Sequence, residues 1–269
     1  MSTTPPSTRM PALFIGHGTP MNALEQNVFT QSWAALGHCI GKPKAILVVS
    51  AHWQTRGVAV TAMQRPETIN DFGAFPKALF DKTYPAPGSP ELAQRIARLL
   101  QPLSVAQDHS WGLDHGAWSI LVHLYPQADV PVVQLSMDAT QSPSFHYELG
   151  QRLQPLRDEG VLIVGTGNVV HNLGRLDWGM PENGYDWAER FQARVQEIVT
   201  AGQDWALTNF AQMGADAQRS IPSADHFLPL LYVLGSRDRE DDALEFVTPQ
   251  CVFGSLSMMS IALWPSREP

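Results

Sequence analysis

The chain has 269 residues, 44% hydrophobic and 16% charged, with a formal net charge of -8 and two cysteines. Ample apolar surface at low charge density excludes a disordered chain and suffices for one large domain. An acidic balance without a Lys/Arg cluster speaks against a nucleic-acid partner, and no apolar run approaches the ~20 residues that cross a bilayer.

In chain order, residues 1–10 (MSTTPPSTRM) read as a flexible tail. No long apolar stretch follows their arginine, so no secretory signal is expected and the protein is read as cytoplasmic. From 11 to 265 the pattern is that of one catalytic domain. Ala12-Leu13-Phe14-Ile15 reads as a buried strand running into Gly16-His17-Gly18. Ala45 to Val49 is a second, expected to end before Ser50-Ala51-His52-Trp53, and Val58 to Thr61 a shorter one near an edge. The segment 65–89, rich in proline, glycine and aromatics, reads as a flexible loop long enough to cover a site. Ser89-Pro90-Glu91 signals a helix start: a capping hydroxyl, a first-turn proline and an early acid. Val130 to Leu135 and Val161 to Val164 read as further strands, the latter running into Gly165-Thr166-Gly167-Asn168. Asp186 opens a helix whose stripe of Trp187, Phe191, Val195 and Ile198 ends near Gly202. Continuous β-branched runs imply strands covered on both faces. The expected class is therefore α/β, a single domain with a central, mostly parallel sheet flanked by helices.

Cys39 and Cys251 match no metal-binding spacing, so any metal would be held by something else. Nine histidines remain, and five occupy loop-like contexts: His17, His52, His115, His171 and His226. Ligands in open α/β sheets bind beyond the carboxyl ends of strands, so histidines that follow strands can converge without being close in sequence. Imidazole is a versatile ligand for zinc and iron. Glycines on both sides of His17 permit close backbone approach and unusual φ. His38, His109, His123 and His146 are read as structural. Trp53, Trp111 and Trp118 flank the histidine motifs, and core packing weighs evenly against walling a pocket. Asp114 is read as a turn or cap residue and Arg56 as a surface residue. GTGNVV lacks the residues of a phosphate loop or dinucleotide fingerprint, and no GxSxG elbow is present.

The segments GHGTPM (16–21), SAHW (50–53), DFGAFP (71–76), YPAPGSP (84–90), LDHGAW (113–118), GNVVHN (167–172), DHFLPLLYVLG (225–235) and GSLSM (254–258) together resemble the DOPA-type extradiol ring-cleaving dioxygenases of the LigB superfamily. The resemblance runs from the first strand almost to the C-terminus. It implies an α/β fold with a mononuclear non-haem metal site at the carboxyl ends of the strands. Its metal ligands match His17, His52 and His226, with His171 close enough to be a fourth. His171 and His115 are the implied catalytic residues, His171 as acid/base and His115 in the substrate pocket. Where the wider superfamily carries a carboxylate as third ligand, this chain carries His226. The all-histidine set leaves the site one unit more positive and suits zinc. One divalent metal per chain is expected, Zn2+ in isolated protein and Fe2+ for dioxygenase activity. Expected partners are a small catechol such as DOPA and O2, with no nucleic acid and no membrane; the chain is a monomer or small homo-oligomer. The alternatives are a zinc-dependent hydrolase and a Memo-like binding protein with a non-catalytic site.

Overall fold

The computed structural model describes residues 9–266. Its strands are β1 (Ala12–Gly16), β2 (Ala45–Thr55), β3 (Val58–Thr61), β4 (Val105–Asp108), β5 (Val132–Asp138), β6 (Val161–Gly167), β7 (Asp242–Val247), β8 (Cys251–Val252), β9 (Leu256–Ser257) and β10 (Ser260–Pro265). Among the described residues, eight of them form one sheet in the order β4-β3-β5-β2-β6-β1-β10-β7. The centre is parallel: β1 pairs with β6, β6 with β2, and β2 with β5. Antiparallel pairing of β10 with β1 and with β7 extends one side.

The apolar runs are continuous because both faces of the sheet are buried. Phe14, Leu47, Val49 and Ile163 point into one core cluster, while their neighbours Leu13, Ile15, Ile46, Val48 and Leu162 point into the other. Helices α1 (Val28–Ile40) and α2 (His115–Leu124) supply Trp33, Leu36, Trp118, Ile120 and Leu121 to the second cluster. Helices α3 (Pro143–Leu153), α4 (Asp186–Thr200) and α5 (Leu228–Gly235) cover the opposite face, with Leu149, Phe191, Val195 and Leu231 among their contacts. The helix expected after Ser89 runs Pro90–Leu99, and the Ser89 hydroxyl accepts from the Leu92 N–H at 3.1 Å.

Three expectations change. The second strand does not stop at Val49: β2 continues to Thr55, with a register irregularity between Val49 and Gln54, so His52 sits within a distorted strand end. Such irregularities re-aim side chains at sheet rims. The short third strand is not the edge, because β4, with no apolar run to announce it, pairs outside it in parallel. The segment 65–89 is not a free loop. It holds a short helix at Lys77–Phe80, and hydrogen bonds from Ile69 N to Leu113 O (2.8 Å), Trp118 Nε1 to Ile69 O (2.9 Å) and Gly88 N to Gln64 O (2.8 Å) pin it to the body. Most of the tail expected at 1–10 lies outside the described residues; Met10 is already tied by its N–H to Arg157 O at 2.8 Å.

Candidate metal centre

The five singled-out histidines meet at one end of the sheet. His17 leaves β1 in a turn that only glycine neighbours permit. A Cβ on Gly16 would fall 2.8 Å from the backbone of Met258 and Met259, and Gly18 has a φ of +66°. His52 comes from the distorted end of β2. His115 is the first residue of α2, capped by Asp114, whose buried carboxylate accepts from Ala117 N (3.1 Å), Ser50 Oγ (2.6 Å) and Gln134 Nε2 (2.7 Å). Asp114 is thus the cap residue its position suggested. His171 follows β6, its N–H held by Ser220 O at 2.9 Å. His226 precedes α5, its carbonyl accepting from Asn168 N at 2.9 Å.

The ring centroids of His17, His52 and His226 form a nearly equilateral triangle with sides of 5.2, 5.3 and 5.1 Å. The Nε2 atoms of His17 and His52 face each other at 3.3 Å. Imidazoles bound tetrahedrally to one ion at ~2.0 Å would place their nitrogens ~3.3 Å and their ring centroids ~5.2 Å apart. The donor set therefore fits a metal on the His17–His52 edge. Among the described residues, the ring nitrogens that lie within 4.8 Å of one another are those of His17, His52 and His115, a group that contains neither His226 nor His171 of the expected ligand set. The His115 ring packs more closely on His52, at 3.9 Å, and stands 5.9 Å from His17. The His171 ring stacks on His226 at 3.5 Å, nearly parallel.

Protonation suits the same role. Thr166 Oγ1 donates its single proton to Gly116 O at 2.8 Å, so at 2.9 Å it accepts from His17 Nδ1. The His17 Nε2 lone pair then faces the centre of the cluster. Burial and the neighbouring imidazoles hold His17 well below the usual histidine range and lower His52 to about 2. Burial and His226 lower His171 to about 3. These three rings are neutral at pH 7, the state that binds metal or accepts a proton.

The cluster floors a cavity of about 650 Å3 walled by Phe29, Phe72, Phe75, Trp178, Phe253 and Met258. That volume and apolar lining match a small-molecule site. The segment 65–89 does cover it, through Asp71, Phe72 and Phe75. Trp53, Trp111 and Trp118 do not line it. Trp53 and Trp111 stack on each other at 5.5 Å, and Trp118 is buried, so packing is their role, while Trp178 supplies the tryptophan wall. Arg56 lies on the exposed turn between β2 and β3, away from the cavity. His123 and His146 are engaged structurally, with Asn22 O at 2.7 Å and Tyr232 Oη at 2.9 Å. Neither cysteine lines the site.

One site residue was not anticipated. Asp71 places Oδ1 2.8 Å from the His115 N–H and Oδ2 3.0 Å from His115 Nδ1 and 3.7 Å from His52 Nδ1. Partial burial opposes its ionisation, but its interaction with His115 prevails and holds its carboxyl below the usual range. The signal was present in DFGAFP, an acid set before two aromatics in the covering segment.

Among the described residues, no helix is long and apolar enough to cross a membrane. Residues 10–263 match the family described as the catalytic LigB subunit of aromatic ring-opening dioxygenase. The chain is 48% identical over 261 residues to an Escherichia coli K12 protein named 4,5-DOPA dioxygenase extradiol, covering 96% of each. It is 39% identical to the Beta vulgaris protein of the same name, covering 86% of this chain and 88% of that one. A crystal structure of an uncharacterized Escherichia coli K12 protein superposes with a TM-score of 0.80 at 43% identity, covering 94% of this chain and 99% of that one.

Proposed function

The chain belongs to the LigB family of extradiol aromatic ring-opening dioxygenases, and from that membership we propose that it opens the ring of a catechol such as DOPA with O2 at one divalent metal. The observation that carries the reading is the cluster of five histidines at the base of a 650 Å3 aromatic-walled cavity. His17, His52 and His226 hold the metal, and His171, stacked on His226 at 3.5 Å, is the candidate fourth ligand. The ion expected for turnover is Fe2+, and Zn2+ is expected to fill the all-histidine set in isolated protein. When bound, the metal supplies Lewis acidity toward the catechol hydroxyls and, as iron, the redox capacity that O2 chemistry needs.

The residues divide the remaining work. His171 takes a catechol proton on a ring nitrogen as general base. His115 at the helix terminus takes the second hydroxyl's proton on Nε2 and returns it to the opening ring. Phe72, Phe75, Trp178 and Phe253 clasp the arene and exclude water. A small aromatic substrate gains most from such walls, since aromatic faces bury large area in fixed geometry.

The test is anaerobic reconstitution with Fe2+, followed by air and a panel of catechols including DOPA. Oxygen uptake with a coloured ring-opened semialdehyde is expected. No uptake with any catechol, together with zinc-dependent ester or amide hydrolysis, would overturn the proposal. His171→Ala should abolish turnover with a smaller loss of metal than a ligand variant shows.

A further inference from the structure

We infer that Asp71 is a positioning residue for His115: its carboxylate fixes the imidazole as the Nδ1–H tautomer, so that the Nε2 lone pair is the one available to the cavity. The inference rests on the role proposed above for His115 and adds what orients it. One carboxylate binds the backbone of His115 and lies beside its ring, with Oδ1 2.8 Å from the His115 N–H and Oδ2 3.0 Å from Nδ1. Nδ1 of His115 is buried and has no well-aligned partner, so Oδ2 lies beside it but off the N–H axis. Hydrogen bonds in active sites are often poorly aligned before substrate binds and tighten in the complex. A small ring rotation completes this one, because no other acceptor is recorded for Nδ1 among the described residues.

The surroundings restrict the ring to that rotation. Phe72, next to Asp71, meets the His115 ring edge-on at 5.6 Å and lies 6.1 Å from Trp118. Trp118 in turn donates to Ile69 O at 2.9 Å, locking the covering segment onto α2. The segment that roofs the cavity thus also delivers the carboxylate that faces His115. The alternative is that Asp71 only caps the helix terminus. Asp71→Asn separates the two: an amide oxygen can still accept from the His115 N–H, but the amide nitrogen cannot accept from Nδ1. An imidazole facing that nitrogen adopts the opposite tautomer, and loss of the correct tautomer in a His–Asp pair costs up to ~10⁴ in kcat.

The experiment is nitrogen NMR of histidine-labelled, zinc-loaded protein, which is diamagnetic, with the His115 signal identified by its loss in His115→Gln. Wild type should show His115 protonated at Nδ1, and Asp71→Asn should show it protonated at Nε2 with metal content unchanged. With Fe2+ and a catechol, Asp71→Asn should lose at least ~100-fold in kcat with KM within a few-fold, and Asp71→Glu should recover part of it. A wild-type His115 protonated at Nε2 overturns the inference without any variant, as does an unchanged tautomer or an unchanged kcat in Asp71→Asn. Failure of wild type to open any catechol would instead count against the proposed function, while the NMR result stands by itself.

Discussion

Two histidines compete for the third corner of the metal site, and substituting each in turn separates them. His226 completes the triangle with sides of 5.2, 5.3 and 5.1 Å, whereas His115 lies against His52 at 3.9 Å and is engaged by Asp71. If His226 is the ligand, His226→Ala removes one of three direct bonds. Outer-sphere losses alone cost 10–100-fold in metal affinity, so losing a direct ligand should cost more than ~100-fold, about 3 kcal/mol or greater. His115→Ala removes a neighbour of the ligands and should cost ~10-fold in zinc affinity while abolishing catechol turnover. The assay is competition for zinc against a chromogenic chelator, paired with the zinc-dependent rise in Tm, which shrinks as affinity falls. Tight zinc binding by His226→Ala with loss in His115→Ala would refute the assignment and move the ion toward the His17, His52 and His115 group.

Stability of the metal-free protein should depend on acid in a definite direction. His52 and His171 are lowered to about 2 and about 3 in the folded state, so as pH falls below ~6.5 the unfolded chain binds protons first. Their contribution is intact above ~6.5 and is lost toward the folded values at ~1.4 kcal/mol per pH unit for each ring, which thermal melts at pH 7.5, 6 and 5 will measure. A Tm independent of pH over that range would contradict neutral burial. The fully buried Arg157–Asp242 pair, bidentate at 2.5 and 2.6 Å, should lose ~3–5 kcal/mol of unfolding free energy in Asp242→Ala, read by urea denaturation. Gly167→Ala would place a Cβ 2.1 Å from His226 O, so we expect destabilisation by at least ~2 kcal/mol together with loss of zinc affinity, since the displaced backbone carries a proposed ligand. Normal zinc binding in a folded Gly167→Ala protein would show that the His226 backbone is free to move.

Local pattern was enough for much of the molecule. The alternation that buries Leu13 and Ile15 on one face and Phe14 on the other reads as a continuous apolar run, and the cap at Ser89 stands in three successive residues. The five histidines were legible because each sits in a distinctive short context, and a parallel α/β sheet brings strand ends to one rim. What the tertiary structure decided depends on chain separations that no local window spans. Asp71 and His115 are 44 residues apart in sequence and meet only because the covering segment is pinned to α2. The strand β4 has no core-facing run of its own and exists because β3 offers a free edge. His52 was expected beyond its strand, and an irregularity against β5, a partner some 85 residues later, instead keeps it in the strand end. Residue types and their immediate neighbours thus announce which groups can do chemistry. Distances of 3 to 5 Å between them, and so which nitrogen faces a metal and which a carboxylate, arise only when remote segments pack.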